Sequence, residues 1–232
     1  MTKKRYHSIF FDLDNTLWDF TSNSHKAFAI LYRKYGIDGK GVALDKLLKV
    51  YHHYNDLMWE EYRQGRLDKE TLRWKRFFLT FKELGFPDKA LARRFETDYL
   101  DTSKQMTGLV EGATDILAYL QPKYRLFLLT NGFNEVQFTK IKNSGLEPYF
   151  EKTITSEMAG ALKPHPRFFE YALHETAAEA SYSVMIGDDA ETDIRGAAAA
   201  GIDTIFFNPS GKAHTSHPLF EIRKLEELKK IL

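Results

Sequence analysis

The sequence of 232 residues contains no cysteine. This absence excludes disulfide frameworks, zinc–thiolate sites, iron–sulfur clusters and cysteine nucleophiles. Glycine and proline are also scarce, with 14 and 7 residues, which excludes collagen-like and low-complexity architectures. No apolar run approaches the roughly 18 residues that a membrane-spanning helix needs, and no targeting segment is visible. The sequence therefore predicts a cytoplasmic protein with no membrane partner.

The chain has almost no net charge, since 33 basic residues oppose 32 acidic ones. This balance argues against binding to a nucleic acid polymer, which favours a strongly basic surface. Hydrophobic residues make up 43% of the chain, so it can bury a full core without covalent crosslinks.

The pattern of apolar residues divides the chain into three stretches. Ser8–Phe11 is a short apolar run typical of a buried strand, and residues 18–106 show the three-and-four spacing of about four helices. From about residue 107, strand-like runs alternate with helical stretches, which predicts a parallel sheet with helices on both faces. We therefore predict an α/β, doubly wound, Rossmann-like core domain (1–17 plus 107–232) with an inserted helical-bundle domain (18–106).

The first candidate site follows the first predicted strand, where Asp12 and Asp14 stand two residues apart. Ligands of open parallel sheets bind beyond the carboxyl ends of the strands. Two carboxylates placed there repel each other unless a hard cation such as Mg²⁺ lies between them. The alternative is that Asp14-Asn15-Thr16 only forms a turn and caps a helix.

A second acidic group, Gly187-Asp188-Asp189, follows a later predicted strand, and Asp193 lies four residues beyond Asp189. Capping of the next helix explains Asp189 without any ligand. It does not explain Asp188 at the strand end. Together with the first pair, these residues predict an acidic crevice suited to a divalent cation.

Two weaker signals complete the pattern. Thr130, Asn131 and Gly132 follow another strand, and their hydroxyl, amide and N–H groups at a helix start suit a phosphate group. Lys163 precedes Pro164, so the loop is expected to hold its ammonium as a fixed charge. Each signal alone is also typical of an ordinary turn or of the surface.

The order of these four motifs along the chain resembles the haloacid dehalogenase (HAD) superfamily of aspartate-nucleophile phosphohydrolases. The resemblance covers nearly the whole chain, and the helical insert resembles the helical cap of this superfamily. It implies a magnesium-dependent phosphomonoester hydrolase in which Asp12 is the nucleophile. The implied ligands of Mg²⁺ are the Asp12 side chain, the Asp14 backbone carbonyl and Asp188.

The resemblance also implies roles for the remaining motif residues. Asp14 would protonate the leaving group and then deprotonate water, and the presence of this acid favours phosphate esters over haloacids. Thr130 and the Asn131 N–H would hold phosphate oxygens, and Lys163 would neutralise charge. Asp193 would orient Lys163 or a metal-bound water, whereas Asp189 is left open as a ligand, an outer acceptor or a helix cap.

The substrate prediction depends on a short segment, Leu17-Trp18-Asp19-Phe20. It resembles the bacterial pyrimidine 5′-nucleotidase subgroup, which implies a small nucleoside monophosphate as substrate. Trp18 would then stack on the base, although packing at a hinge explains the residue equally simply.

Other functions fit the same motifs. Within the superfamily, the alternatives are a sugar-phosphate or phosphoglycolate phosphatase, or a phosphomutase. Outside enzymes, the alternatives are a phospho-acceptor or binding module that does not turn over. A monomer or a homodimer is expected.

Overall fold

The computed structural model describes residues 6–232. It divides into two compact units. One comprises the described part of Met1–Phe20 together with Thr107–Leu232, and the other is Thr21–Met106.

The larger unit, called the core unit below, is built on a six-stranded sheet of order β3-β2-β1-β4-β5-β6, in which all neighbours pair in parallel. This order reverses direction beside β1, as in doubly wound folds. The strands are β1 (Ser8–Phe11), β2 (Arg125–Thr130), β3 (Lys152–Thr155), β4 (Ser183–Gly187), β5 (Asp203–Phe207) and β6 (Phe220–Ile222).

Helices connect β1 to β5 in turn, whereas β5 and β6 are joined by a segment without a helix. Four helices, α1 (Phe20–Lys34), α2 (Leu44–Arg63), α3 (Lys69–Glu83) and α4 (Lys89–Ser103), form most of the inserted segment. The others are α5 (Ala113–Leu120), α6 (Asn134–Asn143), α7 (Ser156–Ala159), α8 (Pro166–Thr176), α9 (Gly196–Ala199) and α10 (Leu228–Ile231). A π-helical segment, Ala190–Arg195, leads into α9.

The sheet buries apolar side chains against its helices. Phe10, Phe127 and Met185 come from three adjacent strands, and they pack with Phe168 and Phe169 of α8 in one cluster. This burial fixes the strand ends, and the strand ends position the polar residues that follow them.

The predicted fold class is confirmed by the parallel sheet and its flanking helices. Two local predictions were incomplete or wrong. Strand β6 was not foreseen, because three residues at a sheet edge carry almost no periodic signal. The residue spacing of the tail Lys224–Leu232 predicts one amphipathic helix, but the structure has a 3-10 turn at Leu225–Glu227 followed by the short α10.

The second unit, called the helical unit below, has an aromatic core. Asp68 and Asp88 cap α3 and α4 by accepting hydrogen bonds from backbone N–H groups. The rings that pack together in this core are Phe28, Tyr51, Phe77, Phe95 and Tyr99.

Within residues 6–232, no helix has both the length and the apolar character needed to cross a bilayer.

Candidate active site

Three adjacent strands of the core unit end in the residues singled out from the sequence. Asp12 follows β1, Thr130 ends β2, and Asp188 follows β4. Since β2, β1 and β4 are neighbours in the sheet, these side chains meet at its carboxyl edge. The edge beside β1 is also where the strand order reverses, the usual ligand position of such sheets.

The turn after β1 is tight. Asn15 has a φ of 63°, a left-handed conformation that asparagine adopts more readily than most residues. Its backbone N–H donates to the carbonyl of Trp18, and the Trp18 N–H donates back to the carbonyl of Leu13. The turn holds Asp12 and Asp14 on the same loop, and Thr16 donates to Asp188 Oδ1 at 3.2 Å.

Lys163 is the charged centre of the site and is only 1% exposed. Its ammonium has three donors. They reach Asp12 Oδ1 and Asp193 Oδ1 at 2.7 Å each and the Leu129 carbonyl at 2.9 Å. All three donors are thus used, and the structure places Asp193 directly on Lys163.

Burial and charge shift the pKa values of this group strongly. Burial raises the pKa of Asp12 to about 7, although Lys163 opposes the shift. Burial likewise raises the pKa of Asp188 and of Asp193, and nearby carboxylates raise both further. Burial lowers the pKa of Lys163, but Asp12 and Asp193 outweigh it, so the net pKa is raised. The cluster carries more negative charge than one ammonium compensates.

Carboxylate oxygens of Asp12, Asp188 and Asp193 lie within 4.8 Å of one another. Buried or half-buried oxygen ligands at this spacing, with excess negative charge, fit a hard divalent cation. Of the side chains predicted as ligands, the cluster contains Asp12 and Asp188. The Asp14 carboxylate is not part of this cluster, and the Asp14 backbone carbonyl stays a predicted ligand.

The Asp14 carboxylate is held by two residues of α6 that sequence reasoning missed. Lys140 Nζ donates to Asp14 Oδ1, and Gln137 Nε2 donates to Asp14 Oδ2, both at 2.7 Å. Gln137 Nε2 also donates to Thr130 Oγ1 at 2.7 Å. The only sequence signal for these residues was their spacing of three, which places them on one face of the helix after the Thr-Asn-Gly motif.

The Asn131 side chain hydrogen-bonds to the backbone of the loop that carries Lys163, whereas its motif suggested a phosphate site. Its Oδ1 accepts from the Lys163 N–H at 2.7 Å, and its Nδ2 donates to the Lys163 carbonyl at 2.9 Å. The amide therefore clamps the backbone of the Lys163 loop, a contact that its motif did not indicate. The backbone N–H of Asn131 stays the predicted phosphate ligand.

The segment after β4 resolves the role left open for Asp189. Its Oδ1 accepts from the N–H groups of Glu191 and Thr192 at 2.9 and 2.8 Å, so Asp189 caps the following helix. Gly187 is required beside it, because a Cβ there would overlap the Asp193 carboxylate.

Trp18 is fully buried. The Lys140 ammonium lies 3.9 Å from the centre of its ring, and Phe20 packs 6.4 Å away. These contacts correspond to the packing role that the sequence left open beside stacking on a base.

Comparisons with known proteins agree with this geometry. A family model for haloacid dehalogenase-like hydrolases matches residues 6–201. The chain is 32% identical over 234 residues to the HAD-hydrolase YfnB of Bacillus subtilis (strain 168), covering 99% of this chain and 96% of YfnB. The crystal structure of YfnB bound to magnesium matches with a TM-score of 0.90 at 30% identity, covering 98% of this chain and 99% of that one.

Two further relatives are pyrimidine 5′-nucleotidases. PynA of Streptococcus pneumoniae (strain ATCC BAA-255 / R6) is 32% identical over 230 residues, covering 96% of this chain and 93% of PynA. YjjG of Escherichia coli (strain K12) is 29% identical over 231 residues, covering 97% of this chain and 96% of YjjG. The extent of the family match and the full-length similarity to YfnB show that the chain belongs to the haloacid dehalogenase-like hydrolase family and is a hydrolase.

Proposed function

We propose that this protein is a magnesium-dependent phosphomonoester hydrolase that acts through an aspartyl-phosphate on Asp12. The observation that carries the proposal is the pairing of two carboxylates with different surroundings. Asp12 lies in the buried, charged cluster of Lys163, whereas the Asp14 side chain is 31% exposed and stands outside it. One carboxylate can therefore attack while the other exchanges a proton with the leaving group.

The proposed reaction has two steps. In the first, an Asp12 oxygen bonds to phosphorus while the bond from phosphorus to the ester oxygen breaks. The ester oxygen keeps the electron pair and takes a proton from Asp14. In the second, a water oxygen attacks the same phosphorus and gives its proton to Asp14, and the bond to Asp12 breaks. Free phosphate results, Asp12 is again a carboxylate, and Asp14 is again the protonated acid that began the cycle.

The other residues of the site supply positioning and charge. Thr130 and the Asn131 N–H are proposed to contact the phosphoryl oxygens, and Lys163 is proposed to neutralise charge on Asp12 and on the phosphoryl group from its buried position. Positioning and charge neutralisation provide most of the acceleration in phosphoryl transfer. Mg²⁺, when bound, would neutralise charge on the phosphoryl group. Asp12, Asp188 and the Asp14 carbonyl would hold it, and Asp193 stands beside them as the residue that orients Lys163.

Nucleoside monophosphates with a pyrimidine base are the proposed substrates. The support is the similarity to PynA and YjjG, both pyrimidine 5′-nucleotidases, over nearly the full length of the chain. We further propose that residues 18–106 form a cap domain that selects the substrate.

The test is steady-state phosphate release with Mg²⁺ across pyrimidine monophosphates, purine monophosphates, hexose phosphates, glycerol phosphate and phosphoglycolate. We expect the pyrimidine monophosphates to have the highest kcat/KM. Preference for a sugar phosphate or phosphoglycolate would keep the mechanism and remove the nucleotidase assignment. Absence of release from every substrate would contradict the hydrolase mechanism itself.

A further inference from the structure

Helix α6 presents two buried polar side chains to the site, Gln137 at 1% exposure and Lys140 at 5%. Neither belongs to the motifs found in the sequence. We infer that Gln137 and Lys140 are positioning residues that lock the Asp14 carboxylate and the Thr130 hydroxyl into the orientation needed to expel the leaving group. The inference rests on the proposed function, because it concerns the proton that Asp14 gives to the ester oxygen.

The Asp14 carboxylate is held at both oxygens. Lys140 occupies Oδ1 and Gln137 occupies Oδ2, each at 2.7 Å, so the group cannot rotate without breaking two hydrogen bonds. Lys140 is itself fixed, since its ammonium lies 3.9 Å from the ring centre of Trp18 and 5.6 Å from that of Phe20. The carboxylate thus has one fixed direction in which to meet an ester oxygen.

Gln137 also sets the direction of the Thr130 hydroxyl. Thr130 Oγ1 accepts from Gln137 Nε2 at 2.7 Å and from the Gly132 N–H at 3.1 Å. Because both acceptor positions of this oxygen are taken, its own proton points to a third partner, which in the proposed reaction is a phosphoryl oxygen. One amide nitrogen therefore couples the acid to the phosphate-binding hydroxyl.

The packing around Gln137 favours this donor role. A Cβ on Gly132 would overlap the Gln137 side chain, so only glycine lets the amide reach both oxygens. The other end of the amide, Oε1, is buried without a hydrogen-bond partner among the described residues. Buried polar atoms are normally paired, so a side chain placed for packing alone would be expected to satisfy this oxygen.

The experiment compares phenyl phosphate with 4-nitrophenyl phosphate, which differ mainly in how much the leaving group needs a proton. For Lys140→Met and Gln137→Leu, we expect kcat/KM on phenyl phosphate to fall about 10- to 100-fold, a part of what general acid catalysis supplies. On 4-nitrophenyl phosphate we expect Lys140→Met to lower kcat/KM less than about threefold, because its phenolate leaves without protonation. Gln137→Leu is expected to lower it more than Lys140→Met does, since it also releases the Thr130 hydroxyl, but less than it lowers kcat/KM on phenyl phosphate. Lys140→Arg, which keeps a donor, is expected to recover most of the loss.

The matched control is Lys142→Met, which removes an exposed lysine from the same helix and is expected to leave both substrates unchanged. The ratio of the two kcat/KM values is measured on one preparation, so a partly unfolded variant alters both values equally.

Combination with Asp14→Asn gives a second readout. Lys140→Met is expected to cost nothing further in that background, because the two residues act as a unit.

Two results would overturn the inference while leaving the proposed function intact. One is an equal loss on both substrates in the two variants, as a general structural role would produce. The other is a full additional loss when Lys140→Met is added to Asp14→Asn. If the unmodified protein hydrolyses neither phosphate ester nor any nucleotide, the proposed function fails first and the inference falls with it.

Discussion

Both units of the molecule bury cationic side chains, and two of these, Lys163 and Arg76, are compensated differently. In the core unit, the Lys163 ammonium donates to two carboxylates and a backbone carbonyl. In the helical unit, the Arg76 guanidinium, 6% exposed, donates to the Asn55 side-chain oxygen at 2.8 Å and to the Arg73 carbonyl at 3.3 Å. It also lies over aromatic rings, with Phe77 at 5.1 Å from its central carbon.

The different surroundings of the two cations distinguish a reactive cluster from a packed core. The Arg76 guanidinium contacts neutral hydrogen-bond acceptors and the faces of aromatic rings. Its burial therefore does not require a second buried charge. Lys163 contacts carboxylates whose own charges are buried, so the removal of its ammonium leaves those charges uncompensated. Strongly perturbed, mutually dependent groups of this kind are typical of functional sites.

The largest effect is expected for Asp12→Asn, which removes the proposed nucleophile but keeps the shape of the side chain. Phosphate release is expected to fall at least about 10⁴-fold. The melting temperature is expected to stay equal or rise, because one buried negative charge is removed from a crowded cluster. Phosphate release and the melting temperature are measured on the same purified protein.

Asp45→Asn is the matched control for this substitution, since Asp45 is an exposed aspartate of the helical unit. It is expected to leave activity unchanged and to cost at most about 1 kcal/mol of stability, because only a charge in the first turn of α2 is lost. Retention of more than about a thousandth of the activity by Asp12→Asn would argue that another group attacks phosphorus.

The comparison of the two cations is sharpened by the pair Lys163→Met and Arg76→Met. Lys163→Met leaves two buried carboxylates without their ammonium and is expected to lower the free energy of unfolding by about 3–5 kcal/mol at neutral pH. Arg76→Met removes hydrogen bonds to neutral acceptors and is expected to cost about 1–2 kcal/mol. Urea unfolding followed by circular dichroism measures both, and equal losses would contradict the distinction.

Magnesium is expected to stabilise the core unit in a pH-dependent way. Because burial raises the pKa of Asp12, Asp188 and Asp193, the metal-free folded protein keeps protons that the unfolded chain has already released. The stability these protons confer is present below the unfolded-state pKa of about 4 and is lost as the pH rises to about 7. Bound Mg²⁺ would replace these protons, so the stabilisation that it provides is expected to increase between about pH 4 and about pH 7.

The measurement is the shift of melting temperature caused by Mg²⁺ at about pH 5 and about pH 8. A saturating excess of about 100 times Kd contributes about 2.7 kcal/mol at the higher pH, and less is expected at the lower one. Asp188→Asn removes a ligand and is expected to reduce the shift at both. Shifts of the same size at the two pH values would contradict proton–metal competition.

Gly187→Ala is expected to destabilise the core unit less than the loss of the Lys163 ammonium does. The Cβ of the alanine would overlap the Asp193 carboxylate, which Lys163 prevents from moving away, so we expect a loss of about 1–3 kcal/mol and lower activity. Gly39→Ala is the counterpart in the helical unit, where a Cβ would meet no atom within 4 Å. It is expected to stay within about 0.5 kcal/mol of the unmodified protein.

Much of this molecule was determined by the sequence alone. The strand positions followed from short apolar runs, because a parallel strand is buried on both faces and must be apolar throughout. Asp12, Thr130 and Asp188 were found for the same reason, since polar residues directly after such runs must lie at the sheet edge. The four helices of the insert followed from their periodicity and from the glycines between them.

Only the tertiary structure decided the partners of these residues. Gln137 and Lys140 lie more than a hundred residues from Asp14 in the sequence, and no local pattern reveals that α6 turns them toward β1. The amide of Asn131 reads as an anion ligand in its motif, yet a loop thirty-two residues away takes both of its polar atoms. Local periodicity reports which face of an element is buried, whereas the choice of partner depends on how separate elements pack together.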